Sequence, residues 1–183
     1  MADLRPTEIL LSEEQIQKRV AELALEIRRD FPDGLHLVAV LKGAFVFLSD
    51  LVRHMSGDVS LDFMAVSSYG PGARPLGVVK ILKDLDESIT GREVLVVEDV
   101  IDTGLTLSYL LRNLQPRAPA SLNVCVLLDK PARRIADLPI AYRGFEIPDK
   151  FVVGYGLDFA QRYRNLPFVA TLTKEAMDRL SRA

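Results

Sequence analysis

Apolar and polar positions follow two different periods along this chain, and the switches between them mark its elements. Ile16, Val20, Leu23 and Ile27 recur at helical spacing behind Ser12, and Gln15 stands where a capping box wants it. Pro32-Asp33-Gly34 is turn chemistry and ends that helix. Residues 35–41 form a short apolar run, read as a buried strand, and after Gly43 residues 44–55 read as a helix. Val59, Leu61 and Phe63 alternate with Ser60, Asp62 and Met64, which predicts a half-buried strand. Residues 70–77 read G-P-G-A-R-P-L-G, an irregular loop before a strand candidate at 78–82. Gly91 closes a polar turn. Residues 94–97 are unbroken Val and Leu, as a central strand requires. Leu107, Leu110, Leu111 and Leu114 place a helix behind it, ended by Pro116 and Pro119. Further strands are expected at 122–128, 151–153 and 168–172, with Thr173 capping a last helix.

Strands alternating with helices predict the α/β class, a mainly parallel central sheet flanked by helices. No repeat or linker divides residues 1–183, so a single domain is expected. Ligands of such sheets bind beyond the carboxyl ends of the strands.

Composition narrows the function. Apolar residues are 49% and charged residues 26% of the chain, which excludes disorder over most of its length. A net charge of −2 excludes a protein that grips nucleic acid by bulk charge. No apolar run reaches the ~18 residues of a membrane span, and the first twenty residues lack a signal-peptide pattern. The single cysteine, Cys125, excludes a disulfide framework and a multi-cysteine zinc site; it alternates within a strand and reads as core. A cytoplasmic setting is the resulting expectation. His36 and His54 have no partner at metal or triad spacing.

The richest segment is V-L-V-V-E-D-V-I-D-T-G-L-T, residues 94–106. A buried strand leads into two adjacent acids, Glu98 and Asp99. Asp102 then opens a turn of small and hydroxyl residues before a helix. Free N–H groups at that helix start, with the Thr103 and Thr106 hydroxyls, form an anion site, and Gly104 permits close backbone approach. The acids repel a phosphate; they suit sugar hydroxyls or magnesium. Phosphate beside diol describes a ribose 5-phosphate. Asp102 alone reads equally well as a helix cap.

This string resembles the phosphoribosyl diphosphate signature of the phosphoribosyltransferases. Leu41-Lys42-Gly43-Ala44 resembles their pyrophosphate loop, Ser67-Ser68-Tyr69-Gly70 the start of their mobile lid, and Asp129-Lys130 their purine-reading lysine motif. Residues 144–158, GFEIPDKFVVGYGLD, resemble the purine-covering hood of the hypoxanthine-guanine type. The motifs span residues 41–164 in the family's order.

The resemblance implies a type I phosphoribosyltransferase fold, its hood built from the N-terminal segment and residues around 130–165. It implies magnesium-dependent transfer of phosphoribosyl from phosphoribosyl diphosphate to hypoxanthine or guanine, giving a nucleotide and pyrophosphate. Asp102 matches the acid–base residue near purine N7. Glu98 and Asp99 match acids that hold the ribose hydroxyls and support a metal. Thr103, Gly104, Leu105 and Thr106 match the 5-phosphate cradle, although Leu105 stands where many members carry Lys or Arg. Lys42 and Gly43 match a pyrophosphate turn whose leading peptide is often cis, so a cis bond is expected between Leu41 and Lys42. Arg164 matches a pyrophosphate-binding arginine. Lys130 matches the donor to purine O6, Phe151 the stacking ring, Val152 a backbone contact at the 2-position, and Asp158 a second magnesium-site acid. Ser68 and Tyr69 match lid residues. Dimers or tetramers are implied. Hypoxanthine, guanine and xanthine all stay open as substrates. A nucleotide-binding regulatory protein on the same fold is the alternative; the hood and the −2 charge weigh against it. A receiver-type signalling domain would explain the strand-end acids and leave the later motifs unexplained.

Overall fold

A computed structural model of the chain describes residues 8–68 and 79–181. The elements are β1 (Glu8–Leu11), α1 (Glu13–Asp30), β2 (Leu35–Leu41), α2 (Phe45–Arg53), β3 (Val59–Ser68), β4 (Val79–Lys83) and β5 (Glu93–Ile101). Next come α3 (Leu105–Leu114), β6 (Ser121–Asp129), β7 (Tyr142–Glu146), β8 (Val152–Val153), β9 (Val169–Thr171) and α4 (Lys174–Ser181).

The capping box forms: Gln15 N donates to Ser12 Oγ at 3.2 Å, and Ser12 N donates to Gln15 Oε1 at 2.9 Å. Behind it, Ile16, Val20, Leu23, Ala24 and Ile27 make one buried stripe, the helical period working as expected. The six-stranded sheet runs β4-β3-β2-β5-β6-β7. All its pairings are parallel except β3 with β4. The mainly parallel α/β class is therefore present. Apolar clusters cover both faces. Leu35, Leu37, Leu95 and Val97 pack with α1 and α2; Val38, Val40, Val94 and Val96 pack with α3. Coverage on both faces is what lets β2 and β5 be unbroken apolar runs.

A second, antiparallel sheet runs β1-β9-β8. Its register pairs Val152 with Thr171 and Glu8 with Thr171 on either side of β9. Two expectations change here. Residues 144–146 of the expected hood segment belong to β7, the edge strand of the central sheet. Conversely β9, beyond residue 165, supplies the middle strand of the small sheet. Neither β1 nor β7 emerges from the apolar pattern, because both are short edge strands with exposed polar positions.

β3 also differs from its pattern. Leu61 is 45% exposed, whereas Asp62 is 4% and Met64 0% exposed. The buried Asp62 carboxylate accepts from Phe63 N at 2.7 Å and Asp86 N at 2.8 Å, and Lys83 Nζ stands 3.5 Å away. The segment after β4 thus folds back over this face, and hydrogen bonds to the carboxylate offset its desolvation. Thr173 does cap α4, accepting from Ala176 N at 3.2 Å.

Candidate active site

β5 lies between β2 and β6, so the turn at its C-terminal end sits at the middle of the sheet's carboxyl edge. The strand continues through Ile101 rather than ending before the acids. Glu98 and Asp99 therefore lie within it, and successive side chains point to opposite faces. Glu98 borders a small cavity of about 110 Å³ with Asp102, Thr103, Gly104 and Thr106. Asp99 borders a larger cavity of about 630 Å³.

Asp102 does not cap α3. The N-cap is Gly104, at φ 79°, without a side-chain cap. Glycine suits this left-handed position. Leu105 N donates to Thr103 Oγ1 at 3.4 Å, and the first helical bond runs from Ser108 N to Gly104 O at 2.9 Å. First-turn amides of a helix otherwise lack intrahelical partners, which makes the Thr103–Gly104–Leu105–Thr106 turn a cradle for an anion. The Leu105 side chain is 45% exposed and adds no charge.

The larger cavity gathers residues from distant segments: Lys42 and Gly43, Asp99 and Asp102, Lys130, then Phe151, Val152, Asp158 and Arg164. The Leu41–Lys42 peptide is cis, as the motif led one to expect. Gly43 is pressed against Asp99, whose Oδ2 would lie 1.5 Å from a Cβ at position 43. Lys130, 7% exposed, is not a solvated surface lysine. Its amide donates to Ile101 O at 3.0 Å, joining the ends of β5 and β6. Neighbouring Asp129 is buried and paired with Arg134 and with Arg143. Phe151 is 42% exposed and meets Phe159 edge-to-face at 5.5 Å, so its ring is not core packing. Val152 is buried and held in β8. The Arg164 fork donates to Gly156 O at 2.7 Å and pairs with Asp158 Oδ1 at 2.7 Å.

Arg133, Asp149 and Gln161 also line the cavity and were not singled out from the sequence. Arg133 Nε lies 2.7 Å from Asp102 Oδ1, and its Nη1 donates to Asp149 Oδ1 at 3.3 Å. The first contact is ionic only: Asp102 Oδ1 is buried and accepts no hydrogen bond among the described residues. The signal for Arg133 was its place in the turn after β6, where such sheets carry their ligands. Ser68 ends β3, while Tyr69 and the rest of the expected lid lie outside the described residues.

Burial holds both Glu98 and Asp99 carboxyls above the usual range, and Asp99 raises Glu98 further. A cation would offset that cost. Among the described residues no three acid, His or Cys side chains gather as a ready metal centre. Glu98, Asp99 and Asp158 thus do not form one cluster: the first two point to opposite faces of β5, and Asp158 is turned to Arg164 and Gln161 N. One or two carboxylates with substrate oxygens still suit magnesium, which is seldom caged by protein alone. No described helix is long and apolar enough to cross a membrane.

Comparison with known proteins agrees with this arrangement. A family model described as a phosphoribosyl transferase domain matches residues 6–160. A Mycobacterium avium protein named hypoxanthine-guanine phosphoribosyltransferase is 54% identical, over 93% of this chain and 89% of its own length. A Bacillus subtilis protein of the same name is 51% identical, over 90% of this chain and 92% of its own. A crystal structure of a Bacillus anthracis hypoxanthine-guanine phosphoribosyltransferase superposes with a TM-score of 0.88 at 52% identity, covering 92% of this chain and 100% of that one. With the motifs in order, the fold in common and these relatives matched nearly end to end, the chain belongs to the phosphoribosyltransferase family.

Proposed function

We propose that the protein transfers the 5-phosphoribosyl group of phosphoribosyl diphosphate to N9 of hypoxanthine or guanine, releasing pyrophosphate in purine salvage. The observation that carries this reading is the 630 Å³ cavity, which unites Asp99 and Asp102, the Lys42–Gly43 turn, Lys130 and the Phe151–Arg164 segment.

The anomeric carbon becomes oxocarbenium-like as its bond to pyrophosphate breaks. The cradle at Thr103 to Thr106 holds the 5-phosphate, and Glu98 and Asp99 hold the ribose hydroxyls. Lys42, the Gly43 backbone and Arg164 receive the departing diphosphate; an arginine fork suits phosphate oxygens. Glu98 and Asp99, each from its own face of β5, and separately Asp158, would hold magnesium, which would offset negative charge on the leaving group. Phe151 stacks on the purine, the Val152 backbone meets its 2-position edge, and Lys130 donates to O6. A donor there favours 6-oxopurines over adenine, which presents an amino group. The Asp102 carboxylate, on the wall of the larger cavity, accepts the purine proton near N7 as N9 bonds to the sugar.

Turnover of a panel of hypoxanthine, guanine, xanthine and adenine, with phosphoribosyl diphosphate and magnesium, tests the reading. Turnover of hypoxanthine or guanine with little of adenine is the expected result. Nucleotide binding without turnover of any purine would return the regulatory alternative.

A further inference from the structure

Beyond β8 the chain passes through three consecutive residues of positive φ: Gly154 at 98°, Tyr155 at 52° and Gly156 at 98°. Glycine adopts this region freely, but a tyrosine does so uncommonly. The turn carries the Tyr155 ring away from the small sheet and into the cluster packed by α1 and α2, where it is 2% exposed. There its hydroxyl donates to Asp50 Oδ2 on α2 at 2.7 Å. Gln17 of α1 donates to the same oxygen at 2.8 Å. Burial, then the bond to Asp50, push the Tyr155 hydroxyl far above its ordinary pKa, so it stays a donor.

The two ends of this connection are informative. α2 starts just after the Lys42–Gly43 turn. On the other side, Gly156 N donates to Arg164 O at 3.0 Å, and Gly156 O accepts from the Arg164 guanidinium at 2.7 Å. Gly156 also packs directly on Gly43, whose carbonyl oxygen would lie 2.2 Å from an added Cβ. One turn therefore links the helix behind Lys42 to the segment bearing Arg164.

We infer that Tyr155 is a positioning residue that sets the distance between the two halves of the pyrophosphate site. The inference rests on the phosphoribosyl-transfer reading. Lys42 and Gly43 belong to the body of the molecule, whereas Asp158 and Arg164 belong to the segment after the turn. A diphosphate held between them needs that separation fixed before it arrives, and a small displacement weakens every contact it makes. Removal of the Tyr155–Asp50 bond frees a turn already held in a disfavoured conformation. The purine wall is fastened differently, through β8–β9 pairing and the end of β6, so it is affected less.

Steady-state kinetics, pyrophosphate calorimetry and thermal melts on Tyr155→Phe, Asp50→Asn and the double variant test this, with Arg19→Ala as comparator. Arg19 ties α1 to β7 through Arg143 O at 2.8 Å and Gly144 O at 3.3 Å, and lines no part of the cavity. Tyr155→Phe is expected to raise KM for phosphoribosyl diphosphate roughly tenfold and to weaken pyrophosphate binding alike. Its kcat and its KM for hypoxanthine stay within about twofold. Asp50→Asn, which keeps an acceptor, gives a smaller rise and adds little to Tyr155→Phe. Destabilisation of Tyr155→Phe with unchanged KM overturns the inference, and so does an equal KM rise in Arg19→Ala. A parent protein without turnover overturns the underlying reading instead, and does so before any variant is measured.

Discussion

Gly43 and Asp99 are in such close contact that a single methyl group cannot enter between them: a Cβ at position 43 would lie 1.5 Å from Asp99 Oδ2. The carboxylate itself is fixed by Val100 N, which donates to its Oδ1 at 2.7 Å. Gly43→Ala must therefore displace either the acid or the turn. The expected outcome is a folded protein with severely reduced turnover and weakened phosphoribosyl diphosphate binding. Parent-like kinetics from Gly43→Ala would show that Asp99 yields without consequence.

Asp99 should burden stability in the ligand-free protein. Burial raises its carboxyl, so ionisation opposes folding at neutral pH. Asp99→Asn keeps an acceptor for Val100 N and removes the charge. Thermal melts at neutral pH should show a higher midpoint together with loss of turnover. A lower midpoint would mean that the charge has a partner that stabilises it.

Asp102→Asn separates chemistry from structure. Positioned acid–base groups contribute ~10²–10⁴-fold, and kcat should fall by a factor in that range while phosphoribosyl diphosphate binding changes little. Asn caps helices about as well as Asp, and Gly104 holds the cap position here in any case. A kcat within twofold of the parent would end the acid–base assignment.

Lys130→Ala should relax discrimination at purine position 6. Losing a charged donor in a desolvated pocket costs roughly 1.5–3 kcal/mol of selective binding. Competition between hypoxanthine and adenine measures it, and an unchanged ratio would refute the role.

His36 gives a pH dependence far from the cavity. It is 3% exposed, and its Nδ1 lies 2.8 Å from Ser60 Oγ. Burial, then Arg92, lowers its pKa below 6.5, against smaller opposing effects of Asp62 and Glu87. The folded protein thus holds His36 neutral, while the unfolded chain binds a proton near the ordinary value. This contribution to stability is full above pH 6.5 and is lost as pH falls through the lowered folded value. Melting midpoints should drop over that window in the parent, and less steeply in His36→Gln. Identical slopes would remove His36 from the account.

Much of this was legible in the sequence because the strongest signals are local. The Ser12–Gln15 box, the apolar runs of β2 and β5, and the motif at residues 41–44 depend on neighbours in the chain. What escaped depends on distant partners. Asp62 is buried because amides of residues 63, 86 and 87 reach it, and Leu61 is left outward in consequence. Arg133 and Asp149 meet across sixteen residues, which no period records. Among the described residues β7 pairs only with β6, and its five residues, YRGFE, lack the apolar run of a central strand.

The placement of Glu98 and Asp99 on opposite faces of β5 turns the strand's pleat into a partition wall. One acid borders the compartment formed by the turn at residues 102–106 and its neighbour borders the compartment with Lys130, Phe151 and Arg164. Each is assigned to its side by parity alone. A single-residue insertion or deletion between Val94 and Glu98 would exchange the two, leaving both acids present and each on the wrong side. Length in this strand is consequently under tighter constraint than identity, and Val, Ile and Leu should interchange along it far more readily than its residue count can change.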